Sequence, residues 1–268
     1  MHTIRHIILS LLLLAGTSCV KERGWDMKYQ PSDLIVVEGI ITNEYKPHLI
    51  KLSRIYYELN GTPAVVTGAA VSIGFNDSSV VCSEDASHPG NYYSLPFKTE
   101  RNIVYTLNIS TGGKTYTAQA NTVPVTPFTP MGYYYNKTSE QYEMRYDFTS
   151  QEPAILQVSI DWHSVAIDTA DTLKSACLYY YALKTIDIYQ FIYPHRESVG
   201  FPKGSTIIQR KYSLTNDHAK FIRSFLSETQ WKGGYFDDYP ANVVTNLSEG
   251  AVGFFGACEV LSDTLIVK

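Results

Sequence analysis

The chain has 268 residues, 44% apolar and 18% charged, an ordinary globular composition with enough apolar material for one packed core or two. Its 22 lysines and arginines against 26 acids leave a formal net charge of −4. The basic residues are scattered in nothing longer than a pair such as Arg210–Lys211. This argues against a nucleic-acid partner, which needs a positive stripe to displace counterions from phosphates.

The first residues read MHTIRHIILSLLLLAGTSC. A polar start carrying Arg5 leads into an apolar run from Ile7 to Ala15, broken by Ser10. The run is too short for a bilayer, which takes about 20 apolar residues, and has the length of a secretory signal core. The small residues Gly16, Thr17 and Ser18 before Cys19 resemble the lipobox of bacterial lipoproteins, although Gly16 stands where leucine is common. The expectation is a signal peptide over 1–18, a diacylglycerol on Cys19 and a lipidated tether over 19–33. The chain is then held to a membrane by lipid, through buried methylenes, with no transmembrane helix. Lys21–Glu22 resembles a charged signal for the outer face of the outer membrane, so surface exposure is favoured slightly over the periplasmic face.

From Leu34 the pattern turns to strands. LIVVEGIIT is a β-branched run that reads as buried on both faces. Ile50 and Leu52, then Val71, Ile73 and Phe75, then Tyr105, Leu107 and Ile109 each recur at every second position. Gly112–Gly113 turns the last of these into a returning strand through Tyr116 and Ala118. These elements predict a β-sandwich domain over 34–121. TVPVTPFTP, residues 122–130, places three prolines in nine residues and reads as a junction, because proline donates nothing to a ladder.

Residues 131–268 read as a second β-rich domain. Leu156, Val158, Ile160 and Trp162 share one strand phase, taken as inward, which puts Asp161 and His163 outward. Residues 177–193 lean to strand on aromatic content, and Thr206 to Leu214 is a further strand. One helix is expected near 216–230, capped by Thr215 or Asn216 and carrying an apolar stripe of Phe221, Ile222, Phe225 and Leu226. GAVGFFGACEV and DTLIVK return to β character.

A search for chemistry finds no HExxH, no GxSxG and no phosphate-cradling glycine loop, so the chain reads as no enzyme, with no catalytic residue and no cofactor. Asp161, His163, Asp168 and Asp171 come nearest to a metal cluster, but two ligands on one strand make no site, and a solvated face is the preferred reading. Asp237–Asp238 lack EF-hand spacing. Beyond Cys19 the three cysteines are Cys82, Cys177 and Cys258, whose pairing stays open. Cys82 and Cys258 lie in apolar surroundings and read as buried thiols. The tyrosine clusters at 133–135 and 179–181 are the remaining binding candidates, as stacking platforms or interface anchors.

Several phrases resemble a Bacteroidetes lipoprotein family catalogued as domain of unknown function 4249. They are LIVVEGIITNE, HLIKLSR, GNYYS and YTLNISTGGKTYTA near the start, then AKFIRSFLSETQ and PANVVTNLSEGAVGFFGACEV. Pro240, Val243, Asn246, Gly253, Phe255 and Gly256 fit the family's carboxy-terminal phrases, with Ala251 where a glycine is usual. The resemblance implies a mainly β fold: an N-terminal Ig- or transthyretin-like sandwich followed by a second β-rich domain with one clear helix. By analogy it also implies an accessory or ligand-capturing partner of a TonB-dependent transporter in nutrient uptake. The alternative is a structural or adhesive cell-surface protein.

Overall fold

The computed structural model describes residues 33–56, 61–127, 131–145, 150–165, 174–183, 199–229 and 243–268. Cys19 and the signal and tether before Asp33 lie outside the described residues, as do Asp168, Asp171 and Asp237–Asp238. In chain order, the first strands are β1 (Ile35–Thr42), β2 (Leu49–Arg54), β3 (Ala70–Phe75), β4 (Ser78–Glu84), β5 (Asn91–Ser94), β6 (Val104–Thr111) and β7 (Lys114–Asn121). A hairpin of β8 (Gly132–Asn136) and β9 (Gln141–Arg145) follows, then β10 (Ala154–Asp161), β11 (Ser175–Ala182) and β12 (Thr206–Ser213). The helix α1 (Asn216–Thr229) precedes β13 (Ala251–Cys258) and β14 (Val260–Ile266). The chain is therefore mainly β with one helix among the described residues, and Asp33–Lys268 forms one compact unit.

The first seven strands and β13 make one eight-stranded sheet in the order β13-β1-β2-β5-β4-β3-β6-β7. This sheet curls until its end strands, β13 and β7, lie side by side, giving a nearly closed barrel. Period-two alternation explains the inside. Val37, Ile50, Leu52, Ile73, Leu107 and Ile109 are all sealed from solvent, each such burial worth about 1.5–3 kcal/mol. β1 departs from the expected two-sided burial: it buries one face, and Glu38 turns outward to pair with Lys51 at 3.4 Å. Buried tyrosines bring their hydroxyls to backbone partners. Tyr92 donates to the Val66 carbonyl at 2.8 Å, and Tyr105 accepts from the Glu100 amide at 2.8 Å.

The barrel is completed from far along the chain. β13 runs parallel to β1, in register from Ile35 opposite Ala251 to Thr42 opposite Cys258. Gly253 sits at φ +105°, and a Cβ there would meet the Val37 carbonyl oxygen at 2.1 Å, so only glycine lets the two backbones approach. Between β13 and β7 the segment up to Ser248 fills the seam. The Asn246 amide donates to the Gln119 carbonyl on β7 (2.9 Å) and the Phe255 carbonyl on β13 (2.8 Å), and its oxygen accepts from the Phe255 amide (3.0 Å). One side chain thus replaces a missing ladder rung.

The second sheet has the order β11-β10-β12-β14. Leu156, Val158, Ile160 and Trp162 face its core, with Asp161 and His163 exposed, as the strand phase predicted. Its buried side also carries a polar row on β12: Gln209, Lys211 and Ser213. This row ties down the 122–127 stretch by side-chain hydrogen bonds. Ser213 donates to the Val123 carbonyl (2.7 Å), and the Lys211 ammonium to the Thr126 hydroxyl (2.7 Å). Glu259, the single residue between β13 and β14, accepts Arg101 at 2.7 Å and the Val125 amide at 3.0 Å where the chain steps from one sheet to the other.

The helix begins where expected. Thr215 caps it, its hydroxyl accepting the His218 amide at 3.2 Å, while Asp217 occupies the first turn. The buried stripe is displaced from the predicted one: His218, Ala219, Ile222 and Leu226 are buried, and Phe225 is exposed. The helix meets the outer wall of the barrel through Phe221 stacked on Phe254 at 5.0 Å, and that contact sets its rotation. Gly233–Gly234, read as its stop, lie outside the described residues.

Candidate functional site

Directly opposed residues of neighbouring strands share a face, so the register of the second sheet builds its outward side row by row. One row runs Tyr179, Gln157, Arg210 and Ser262; the next is Cys177, Ser159, Ile208 and Thr264; the row on the other side is Tyr181, Ile155, Tyr212 and Val260. Helix α1 and its small apolar cluster cover the Ile155 and Tyr212 end. Tyr179 and Tyr181 remain open, 52% and 39% exposed.

A hydrogen-bond chain crosses three strands of this face. The Tyr212 hydroxyl donates to Gln157 Oε1 at 2.9 Å, and Gln157 Nε2 donates to the Tyr179 hydroxyl at 3.2 Å. Gln157 is thereby fixed between the two hydroxyls, and the Tyr179 hydroxyl in turn directs its proton to the Cys177 thiol. Burial, helped by the neighbouring Cys177, pushes the Tyr179 phenol up to about 12, so it stays a neutral donor at ordinary pH. Burial acts to raise the Cys177 thiol, but hydrogen bonds from Gln157, Ser159 and Tyr179 outweigh it and hold the thiol below its usual value. Arg210 is the strand neighbour of Gln157, and its guanidinium lies by Glu44, with Nη2 3.8 Å from Glu44 Oε1. The face offers flat aromatic surface, an oriented phenol and a cation, a combination suited to recognition by stacking and hydrogen bonding.

The second tyrosine cluster is divided. Tyr133 and Tyr142 pack edge to face at 5.6 Å against the core of the second sheet, and Tyr133 accepts the Lys268 amide at 3.0 Å. Tyr134 spends its hydroxyl on Glu143 at 2.7 Å. Asp161 and His163 do meet, Oδ1 to Nδ1 at 3.0 Å, yet no group of three possible metal ligands occurs among the described residues. Cys82 and Cys258 are buried and Cys177 exposed, all three as free thiols. Burial pushes Cys82 up to about 11 and Cys258 to about 12, consistent with inert packing groups.

Two histidines left unassigned by the sequence prove buried. His48 bonds the Phe97 carbonyl through Nε2 at 3.0 Å and is held below its ordinary value by desolvation. His218 packs beneath α1. The barrel seam carries an open groove of about 580 Å³ lined by Thr106, Thr117, Gln119, Asn246, Leu247 and Ser248. Its lining is uncharged, with Leu247 among polar side chains, and its Asn246 and Ser248 side chains already serve the closure.

Gln157, Arg210 and Tyr212 were not singled out by sequence reasoning. The phase of β10 already turned Gln157 outward, but only the pairing register sets it beside Tyr179. Comparison with protein families matches residues 22–264 to one described as Domain of unknown function (DUF4249). No curated protein matches the chain.

Proposed function

The chain belongs to the family of domain of unknown function 4249, and from that premise we propose that it is a non-enzymatic outer-membrane lipoprotein, an accessory or ligand-capturing partner of a TonB-dependent transporter. The anchor in this reading is a lipid on Cys19, supported by the short apolar run and small residues that precede it. The surface face of the membrane is favoured slightly over the periplasmic face. Capture is assigned to the outward side of the second sheet, and the observation that carries it is the row Tyr179–Gln157–Arg210 with Tyr181 beside it. An open aromatic face suits holding a partner or cargo more than enclosing a reaction.

A second reading, a structural or adhesive surface protein, is favoured by one observation. On the outer wall of the barrel Val81 and Leu95 are 64% and 71% exposed, beside the exposed Tyr93. An apolar patch of this kind on a protein's outside marks contacts with other proteins.

The test is recovery of partners from gently solubilised native membranes with the tagged, lipidated protein. A transporter retained in near-equal amount, and lost when Tyr179 and Tyr181 are both changed to alanine, is the expected result. Retention unaffected by that change moves the contact off this face, and repeated recovery without any transporter sinks the accessory role. Separately, Cys19→Ala is expected to abolish incorporation of labelled fatty acid and release the protein from the membrane fraction. Persistent labelling in that variant would overturn the anchor.

A further inference from the structure

His218 occupies the first turn of α1 and is 3% exposed. Its ring lies flat on Phe254 (4.6 Å between centroids, 17° between planes), with Nδ1 3.9 Å from the Cys258 sulfur. Gly256 makes room for it: a Cβ there would meet the imidazole at 2.6 Å. Three alternate residues of β13, all on the outer wall of the barrel, therefore form a slot for one histidine. The rest of that cluster is apolar: Leu183, Leu214, Ala219, Ile222 and Leu226.

Charge is unwelcome in this slot for two independent reasons. It is buried, and an ion moved there loses its hydration without gaining an acidic partner among the described residues. It also lies at the positive end of the helix dipole, where a cation is disfavoured. Among the described residues the titratable groups around it offer no compensation. Cys258 on β13 is a fully buried neutral thiol, and Tyr212 on β12 is a phenol raised by its own burial. Asp217 and Lys220 on α1 pair with each other at 3.1 Å in solvent, and Arg223 on the same helix is itself cationic. Glu38 on β1 stands opposite Phe254 but turns outward to Lys51.

We propose that His218 is an acid-operated latch: uncharged, it seals α1 onto the outer wall of the barrel, and its protonation releases the helix from β13. Release exposes Phe254, Gly256 and Cys258 while leaving the barrel interior intact, because His218 sits on the outside of the sheet. Burial depresses the imidazole to about 4, well below its ordinary value of 6.5. Opening therefore becomes roughly twenty-fold more favourable at pH 5 than at pH 7.

The protein carries its own reporters. Cys258 lies under the helix and Cys82 inside the barrel, so labelling with a dipyridyl disulfide, which reacts in acid, separates release from unfolding. Rates are read residue by residue by mass spectrometry and referred to the denatured chain at each pH. The expected result is a roughly twenty-fold rise at Cys258 between pH 7 and pH 5 with Cys82 still protected, and no such rise in His218→Leu. Equal rises at both cysteines, a flat Cys258, or the same rise in the variant would overturn the latch. Should His218→Leu fail to fold, amide exchange in the unaltered protein decides. With exchange referred to the intrinsic rate at each pH, an acid-induced fall in protection confined to α1 supports release, and a fall spread through the barrel strands refutes it.

Discussion

Asn246, Gly253 and Glu259 show how much of this architecture rests on single side chains. Asn246 donates to β7 and both donates to and accepts from β13, so Asn246→Ala leaves a backbone amide and two carbonyls unsatisfied at the seam. The expected loss is about 1–3 kcal/mol in a denaturant titration, with faster amide exchange in β7 and β13 ahead of the other strands. Gly253→Ala drives a methyl into the Val37 carbonyl at a left-handed φ. A loss above about 3 kcal/mol is expected, or a failure to accumulate folded protein; a thermal midpoint within a few degrees of the parent would contradict the close approach of β1 and β13. Glu259 is held below the usual carboxylate range by Arg101, and further by the Val125 amide. A depressed carboxylate contributes stability that is full above the unfolded value near 4.5 and drains away as pH falls through the folded value. Glu259→Gln should therefore flatten the acid limb of the stability curve below about pH 4.5, measured by urea titration at stepped pH.

Among the elements, α1 rests on a small set of contacts that single substitutions can test. Its cap is one threonine hydroxyl, and its buried stripe contains a histidine where most amphipathic helices carry an aliphatic residue. Thr215→Ala should cost about 1 kcal/mol and raise exchange in the first turn before any change in the barrel. A change shared equally by barrel and helix would show that the two melt together. Most elements could be read from the chain, because strand phase is local: side chains alternate wherever the backbone is extended. β6, β7 and β10 bury the residues their alternation marked, and β3 buries Val71 and Ile73 with Phe75 partly covered. The helix was also legible, but its rotation was not, since Phe225 and Ile222 are equally apolar and only the position of Phe254 decides which is covered. β1 shows the same limit: its outward Ile40 gives the run a continuous apolar look.

At the scale of the whole molecule, the two sheets are joined through polar contacts that no periodicity announces. Asn43 pairs with Val260 in both directions, its oxygen taking the Val260 amide at 2.8 Å and its amide giving to the Val260 carbonyl at 3.4 Å. Arg101, Val125, Ser213 and Glu259 meet where β13 becomes β14. The candidate face is a product of the same long-range register. Tyr179 and Tyr181 could be named from the sequence as a cluster, yet Gln157, Arg210 and Tyr212 join them only because β10 pairs with both β11 and β12. Local chemistry alone determined the mainly β character, the strand phases, the capped helix and the burial of Cys82 and Cys258, since each depends on neighbours within a few residues. The resemblance carried by its phrases pointed to the family. The tertiary structure decided what depends on distant partners: the parallel entry of β13 beside β1, the Asn246 closure of the barrel, and the slot that strips His218 of water. The physical reason is that pairing register and desolvation are set by residues from some forty to more than two hundred positions apart, and a single sequence records no distance between them.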